Sequence, residues 1–397
     1  MEIRPLRASE MDAFWEINRD AFHANPAHRE GFLRRHDPAR VIGAFAGERL
    51  LATSATLPLA QHFGGRAVPM GGLSAVAVVP DRRGERLATR VCRGSLLAMR
   101  ARGEVISTLY PASTRLYREL GWEIAGFYAW HKLAPSTLHA LPGTERKAVR
   151  PATPADLASL RSCYARVAVS MPGTLARDDA AWNRYTELWQ PYTRYVATDE
   201  RGDVEGYLVY EQLDREHGTL GGPFRLFVRE IVVATHDAGL ALWRLLGTWS
   251  SQVSDLYLIG PVDDALLLLA PEQELQFLAQ TRWMTRLVDA AGAVAMRGYP
   301  ESVEAEVPIT LHDGVLPENG GSYVLRVSKG QGELARSARV SADAPQIGIG
   351  GFASLYTGFA STARLARAGL LTGGGAAQRA ALDAAFAGPT PTCWDQF

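Results

Sequence analysis

The chain is poor in cysteine, has no long apolar run, and its basic and acidic side chains cancel. Three cysteines occur in 397 residues, Cys92, Cys163 and Cys393. Their odd number, wide scatter and lack of a CxxC pair exclude a disulfide framework and a thiolate metal site, so they read as reduced structural thiols. The longest strongly apolar run, Ala265 to Ala270, is far below the ~20 residues needed to span a bilayer, and Met1-Glu-Ile-Arg has no apolar signal region. The expectation is a soluble cytoplasmic protein with no membrane span. The 42 Lys and Arg residues balance 42 Asp and Glu and form no basic run, which argues against nucleic acid as a partner. No histidine falls in an HExxH or similar ligand spacing and no Gly-x-Ser-x-Gly elbow occurs, so neither a metal nor a serine nucleophile is expected.

What is present is concentrated in Leu73-Ser-Ala-Val-Ala-Val-Val-Pro-Asp-Arg-Arg-Gly84 and the segment after it. Val76, Val78 and Val79 lie in an apolar run ended by Pro80, which predicts an interior strand. Leu87, Val91 and Met99, with Ala88, Cys92 and Ala98 beside them, recur at helical spacing through Met99. Between strand and helix stand Arg82, Arg83, Gly84, Glu85 and Arg86. The helix start would aim free N–H groups and the positive dipole end at an anion, Gly84 admits close approach to the backbone, and the arginines add charge. The ligand implied carries phosphates. A second strand, Val105–Leu109, then leads into Tyr110-Pro-Ala-Ser-Thr-Arg-Leu-Tyr-Arg-Glu-Leu-Gly-Trp122.

Strand, arginine–glycine turn and helix resemble the acetyl-CoA site of the GNAT superfamily of N-acetyltransferases, whose pattern is Gln/Arg-x-x-Gly-x-Gly/Ala. Arg83, Gly84 and the Val-x-Val-Val-Pro frame match, whereas Asp81 at the first position and Arg86 at the last depart from it. The resemblance implies acetyl-CoA as co-substrate, held by Val76, Ala77, Val78, Arg82, Arg83, Gly84, Glu85 and Arg86. Backbone N–H groups of the Val76–Val78 strand would orient and polarise the thioester. The segment Tyr117-x-x-Leu-Gly-Trp is similar to the GNAT segment that sets a tyrosine beside the sulfur. A phenol with a pKa of roughly 10 can protonate a departing thiolate at neutral pH. A core tyrosine bonding its hydroxyl to the backbone is the other reading of Tyr117.

A length of 397 residues predicts two to three domains. A turn-rich connector, Leu141-Pro-Gly-Thr-Glu-Arg-Lys, precedes Arg150-Pro-Ala-Thr-Pro-Ala-Asp-Leu, which echoes Arg4-Pro-Leu-Arg-Ala-Ser-Glu-Met. The echo continues at Glu230-Ile-Val-Val-Ala-Thr-His-Asp-Ala-Gly239, a strand, a turn and a glycine before a helix expected from Leu240. The arginines are missing there, so the second copy reads as a scaffold that does not bind coenzyme A. Farther on, Trp283-Met-x-Arg-x-Val-Asp-x-x-x-Ala-x-x-x-Arg-Gly-Tyr299 resembles the join between the second and third domains of Eis-like (enhanced intracellular survival) acetyltransferases. That resemblance implies an α/β (α+β) fold of tandem GNAT-like domains followed by a sterol-carrier-like α+β domain. The expected division is a catalytic GNAT domain at 1–140, a degenerate GNAT-like domain at 149–285 and a sterol-carrier-like domain with a tail at 286–397. It also implies a homo-oligomer, a hexamer of two trimers, and a primary-amine acceptor: an aminoglycoside, a lysine or peptide amine, or a natural-product amine.

In the third part Val307–Asp313 and Gly321–Ser328 read as strands, and Gly351–Leu371 and Ala376–Ala387 as helices. Gly348-x-Gly-x-x-Ala353 lacks the βαβ setting of a dinucleotide fingerprint and reads as a strand-to-helix turn. After Gly388 the segment Pro389-Thr-Pro-Thr-Cys-Trp-Asp-Gln-Phe397 cannot continue the helix and could reach ~30 Å. Trp394 and Phe397 favour a docked tail. In Eis-like enzymes the terminal carboxylate enters the N-terminal active site and deprotonates the amine, a role that falls on Phe397. An α-carboxyl pKa near 3.5 requires burial, a bridging water or a chiefly electrostatic action for that role; a purely structural tail is the alternative. His23 and His131 read as surface or satisfied core residues. Phe14, Trp15, Phe22, Tyr110 and Trp122 read as pocket wall or core, and Asp20 and Asp395 as groups that could attract a cationic amine. The competing class is a non-enzymatic protein binding a lipid or partner through the third domain.

Overall fold

The computed structural model describes residues 1–139, 141–142, 147–213, 223–270, 272–339 and 343–397, so most of the connector expected at 141–147 falls outside the described residues. The chain forms two compact units. Met1–Gly126, Arg282–Pro389 and Asp395–Phe397 make the first, and Phe127–Thr281 with Thr390–Trp394 the second.

The first unit begins with strands β1 (Glu2–Pro5), β2 (Val41–Ala46), β3 (Arg49–Phe63), β4 (Arg66–Val78) and β5 (Ile106–Leu109), and helices α1 (Met11–Phe22), α2 (Arg29–Arg35), α3 (Leu87–Ala101) and α4 (Thr114–Glu119). The strands lie side by side in chain order, and Met284–Leu287, returning from far along the chain, pairs antiparallel with β5. Helix α1 forms because Met11, Phe14, Trp15 and Asn18 share one buried face. Helix α3 buries Leu87, Val91, Cys92, Ser95, Leu96 and Met99 and packs on β2, β3 and β4. Strand β4 pairs with β3 over nearly its whole length but with β5, in parallel, over Met70–Gly72 alone. Beyond Gly72 the two strands part, and among the described residues no strand pairs with that edge of Leu73–Val78.

The C-terminal part of this unit is a five-stranded sheet in the order Gln331–Arg336, Gly321–Ser328, Ala305–His312, Gln346–Gly348, Leu371–Thr372. Gln346–Gly348 runs directly into the helix Ile349–Tyr356, the strand-to-helix turn expected of that glycine pair. The single helix expected over 351–371 is two, Ile349–Tyr356 and Thr362–Arg367. Gly358 at φ +82° ends the first, and the Ser361 side chain accepts the N–H of Arg364 to start the second. Ala376–Ala385 is a helix as expected. The Arg286 of the Trp-Met-x-Arg segment ties this part to the N-terminal domain. Its Nε donates to the Leu120 carbonyl at 2.9 Å and its Nη2 to both oxygens of Asp313 at 2.7 and 2.6 Å, with both side chains essentially buried. Gly121, at φ +89°, must be glycine, since a Cβ there would lie 2.8 Å from Arg286 Nε.

The strands of the second unit follow the order Glu123–Leu133 (through its Ala129–Leu133 end), Val253–Gly260, Phe224–Val233, Val204–Leu213, Thr193–Thr198, Ala148–Pro151. The echo at its start is a structural repeat. Arg4 donates to both oxygens of Glu10 at 2.8 and 2.7 Å, and Arg150 to both of Asp156 at 2.8 and 2.7 Å. In each copy the acid also accepts the N–H three residues before it, Arg7 or Thr153, at 2.7 Å. The helix expected from Leu240 starts at His236, so Gly239 lies inside it. The Thr235 side chain accepts from Ala238 N–H, and that cap fixes the start four residues early.

Candidate active site

The opening between β4 and β5 gathers the residues singled out in the N-terminal domain. Strand β4 gains one residue on β3 there, because Thr53 faces Ala77 and Ala55 faces Ser74, leaving Ala75 and Val76 opposite Ser54. Ala75 sits at φ +50°, a conformation that disfavours alanine and takes its neighbouring amides out of the ladder. Val76, Ala77 and Val78 lie just beyond this bulge on the unpaired edge. Val76 packs on the cluster that contains Tyr117, Cys92 and Leu109, so strand and tyrosine share one apolar cluster.

The anion end of the opening is the turn before α3. Gly84 takes φ +89° and faces open space where its Cβ would be. Arg86, at φ +58°, is the N-cap, and no side chain caps the helix, so its first-turn N–H groups stay available to an anion. The arginines divide. Arg82 donates to both oxygens of Glu85 at 2.7 and 2.8 Å, so the two expected ligand residues spend their charge on each other. That bond lowers the Glu85 carboxyl and raises the Arg82 guanidinium. Arg86 lies 3.6 Å from Glu119. Arg83 is exposed, with no ion-pair partner among the described residues.

Tyr117, on α4, is 6% exposed and packs edge-on to Trp122 at 6.1 Å. Burial, with the Cys92 thiol nearby, pushes its hydroxyl well above the ordinary phenol range. Among the described residues that hydroxyl makes no hydrogen bond to a backbone carbonyl. Cys92 itself is fully buried, and desolvation pushes its thiol up to about 12 despite a hydrogen bond with Ser54.

The chain's last residue reaches the same opening. The Phe397 ring lies 5.5 Å from the Tyr110 ring, and Tyr110 Oη donates to the Asp395 carbonyl at 3.0 Å. Gly72, where β4 and β5 part, makes room for it: a Cβ there would fall 2.9 Å from Phe397 Cδ2. The other candidates separate. Phe14, Trp15 and Trp122 are core, Phe22 is exposed, and Asp20 is bound by Arg19 at 2.9 Å. His131 Nε2 meets the Pro261 carbonyl at 3.0 Å, and His23 ends α1 in a left-handed conformation. Among the described residues no cluster of metal-ligating side chains occurs, and no helix is long and apolar enough to cross a membrane. Sequence reasoning missed Gly72, Ala75, Thr53 and Asn18. A paired glycine inside a strand was the available signal for Gly72; the others carry none.

In the second unit the matching strand Phe224–Val233 also bulges, between Val228 and Glu230, and pairs in parallel with Val253–Gly260 only up to Val228. Beside this bulge stands a buried ion pair. Glu230 is held at 2.8 Å by both Arg177 nitrogens and accepts the Tyr207 hydroxyl, with the guanidinium 4.0 and 3.9 Å above the Tyr164 and Tyr185 rings. Two residues, Ala234 and Thr235, join strand to capped helix, and no glycine turn intervenes.

A split β4–β5 edge, a bulge and an uncapped helix start behind a glycine turn together define a GNAT-type N-acetyltransferase. Models of the acetyltransferase (GNAT) domain match residues 2–125 and 173–287, and the sterol carrier protein domain matches 290–394. The chain is similar to a GCN5-related N-acetyltransferase from Kribbella flavida (31% identity, TM-score 0.87, covering 100% of this chain and 98% of that one) and to one from Anabaena variabilis (26%, TM-score 0.91, 100% of both). It is 26% identical over 373 residues to the N-acetyltransferase Eis of Mycobacterium tuberculosis, covering 88% of this chain and 86% of the relative. The chain belongs to the Eis-like N-acetyltransferases of the GNAT superfamily.

Proposed function

We propose that the N-terminal domain transfers an acetyl group from acetyl-CoA directly to a primary amine, an aminoglycoside, a lysine or peptide amine, or a natural-product amine. The observation that carries this reading is Tyr117, a buried tyrosine whose hydroxyl meets no backbone acceptor among the described residues, packed in one cluster with Val76 at the β4 bulge. The residues present fit coenzyme A. Open space at Gly84, uncapped N–H groups at the start of α3 and the unpaired Arg83 suit its phosphates, and the free edge of β4 suits an extended amide-bearing arm. When bound, acetyl-CoA supplies the activated acyl group. Amides beyond Ala75 polarise the carbonyl as the amine nitrogen bonds to carbon and the carbon–sulfur bond breaks. Tyr117 gives its proton to the departing sulfur, and the Phe397 carboxylate, directly or through a water, takes the proton lost by the amine. The Phe397 ring against Gly72 and Tyr110 supports that role by bringing the residue to the opening.

The second copy serves as a scaffold: its strand-to-helix join lacks the arginine–glycine turn, and Thr235 caps the helix whose first N–H groups would otherwise meet an anion. By family resemblance the protein works in the cytoplasm as a hexamer. The test is thiol release from acetyl-CoA with an aminoglycoside, free lysine, a lysine peptide and a simple polyamine. Release dependent on one amine supports the reading and names the acceptor class, whereas coenzyme A binding that is undetectable by calorimetry overturns it.

A further inference from the structure

The bulge in β4 is held by a buried hydrogen-bond chain that starts on α1. Ala75 has no side-chain reason to sit at φ +50°. Its carbonyl does: Thr53 Oγ1 donates to Ala75 O at 3.0 Å. The Thr53 oxygen in turn accepts Asn18 Nδ2 at 3.2 Å, and the same amide group donates to the Phe14 carbonyl at 2.9 Å. The Phe14 carbonyl can only accept, which fixes the Asn18 amide with its nitrogen toward Phe14 and Thr53. An oxygen that accepts from Asn18 must send its one proton elsewhere, so the Thr53 O–H is committed to Ala75. Both side chains are buried, Asn18 at 2% exposure and Thr53 at 0%. Asn18 also breaks the apolar pattern of its helix face, where its neighbours are Met11, Phe14 and Trp15, and a residue that violates the local rule calls for a compensating role. On the other side of the slip, Ser54 Oγ meets Ser95 Oγ of α3 at 2.9 Å, so the strand facing the bulge is pinned as well.

We infer that Asn18 and Thr53 are positioning residues for acetyl transfer, orienting the Ala75 peptide so that the amides following it face the open edge of β4. The inference rests on the acetyltransferase reading of that edge, but its structural half can be measured without any ligand. A hydrogen bond lost from a positioned site degrades the reacting geometry more than it degrades binding.

The experiment compares wild type with T53V, T53S and N18A. Hydrogen exchange of a peptide spanning residues 70–79 is measured without ligand, acetyl-CoA affinity by calorimetry, and kcat with the amine found in the thiol-release panel. T53V should speed exchange of that peptide by ~10-fold, lower kcat by ~10-fold or more and leave acetyl-CoA affinity within ~3-fold. T53S, which keeps the hydroxyl, should restore exchange and kcat, and N18A should shift both in the same direction as T53V. Wild-type exchange and kcat in T53V, or failure of T53S to restore them, overturns the inference. Should T53V not fold, N18A decides by the same criteria. A wild type that binds no acetyl-CoA defeats the acetyltransferase reading while the exchange comparison still decides whether the chain holds the bulge.

Discussion

Burial acts twice on the proton that Tyr117 carries. It keeps the phenol protonated at every pH the protein meets, and it weakens that phenol as an acid. The second effect would defeat the residue if the leaving sulfur sat in water. Cys92 shows what the same surroundings do to sulfur: its thiol is pushed up to about 12. A thiolate released into comparably dry surroundings would likewise be a stronger base than a solvated one, which would favour the proton transfer proposed for Tyr117. Tyr117→Phe should lower kcat by ~100-fold or more with acetyl-CoA affinity retained, read by thiol release and calorimetry. Since the shift is upward, no alkaline loss of kcat from Tyr117 should appear through pH 10. Tyr117 could be singled out as a candidate because Tyr-x-x-Leu-Gly-Trp is a local string. Ala75, Thr53 and Asn18 were not, because the slip that joins them arises between two strands and leaves each strand's own pattern intact.

Strand β4 works by where its pairing stops. Gly72 marks that point, and Gly72→Ala would drive a methyl into Leu59 Cδ1 at 2.7 Å and Phe397 Cδ2 at 2.9 Å. The expected outcome is a displaced tail, with kcat falling as far as it does on removal of residues 395–397 while acetyl-CoA affinity changes little; unchanged kcat would detach the tail from the chemistry. At the entry to α1, the hydrogen bonds from Arg4 hold the Glu10 carboxyl at about 2 instead of its ordinary 4.5. A carboxyl whose folded pKa is depressed contributes stability above its unfolded pKa and loses it as pH falls toward the folded value. Stability of the wild type should thus drop more steeply than that of Glu10→Gln between about pH 4.5 and pH 2, measured by denaturant titration. Elements with clear periodicity, such as α3, matched expectation closely. The helix start set by the Thr235 cap did not, because a cap overrides the glycine that seemed to mark the boundary, and the break before the Ser361 cap was read through as continuous helix.

Across the molecule, duplication was readable and its consequences were not. The two Arg-Pro openings announced a repeat, yet nothing in the Glu230 string showed that its carboxylate would be held by Arg177 next to the second bulge. One acetyl-CoA should bind per chain, and a calorimetric stoichiometry near two would refute the scaffold assignment. The Arg286–Asp313 pair carries a heavier structural load. Asp313→Ala would strand a buried guanidinium, and breaking such a pair costs about 3–5 kcal/mol, to be seen as a lower denaturation midpoint. The pairing of Ile106–Leu109 with Met284–Leu287 has a further meaning for biosynthesis. A ribosome that has made β5 must add some 175 more residues before the partner strand emerges. Throughout that interval the nascent N-terminal domain presents a bare strand edge next to Tyr117, so the chain's dependence on chaperones should be greatest while its future active site is still half of a sheet.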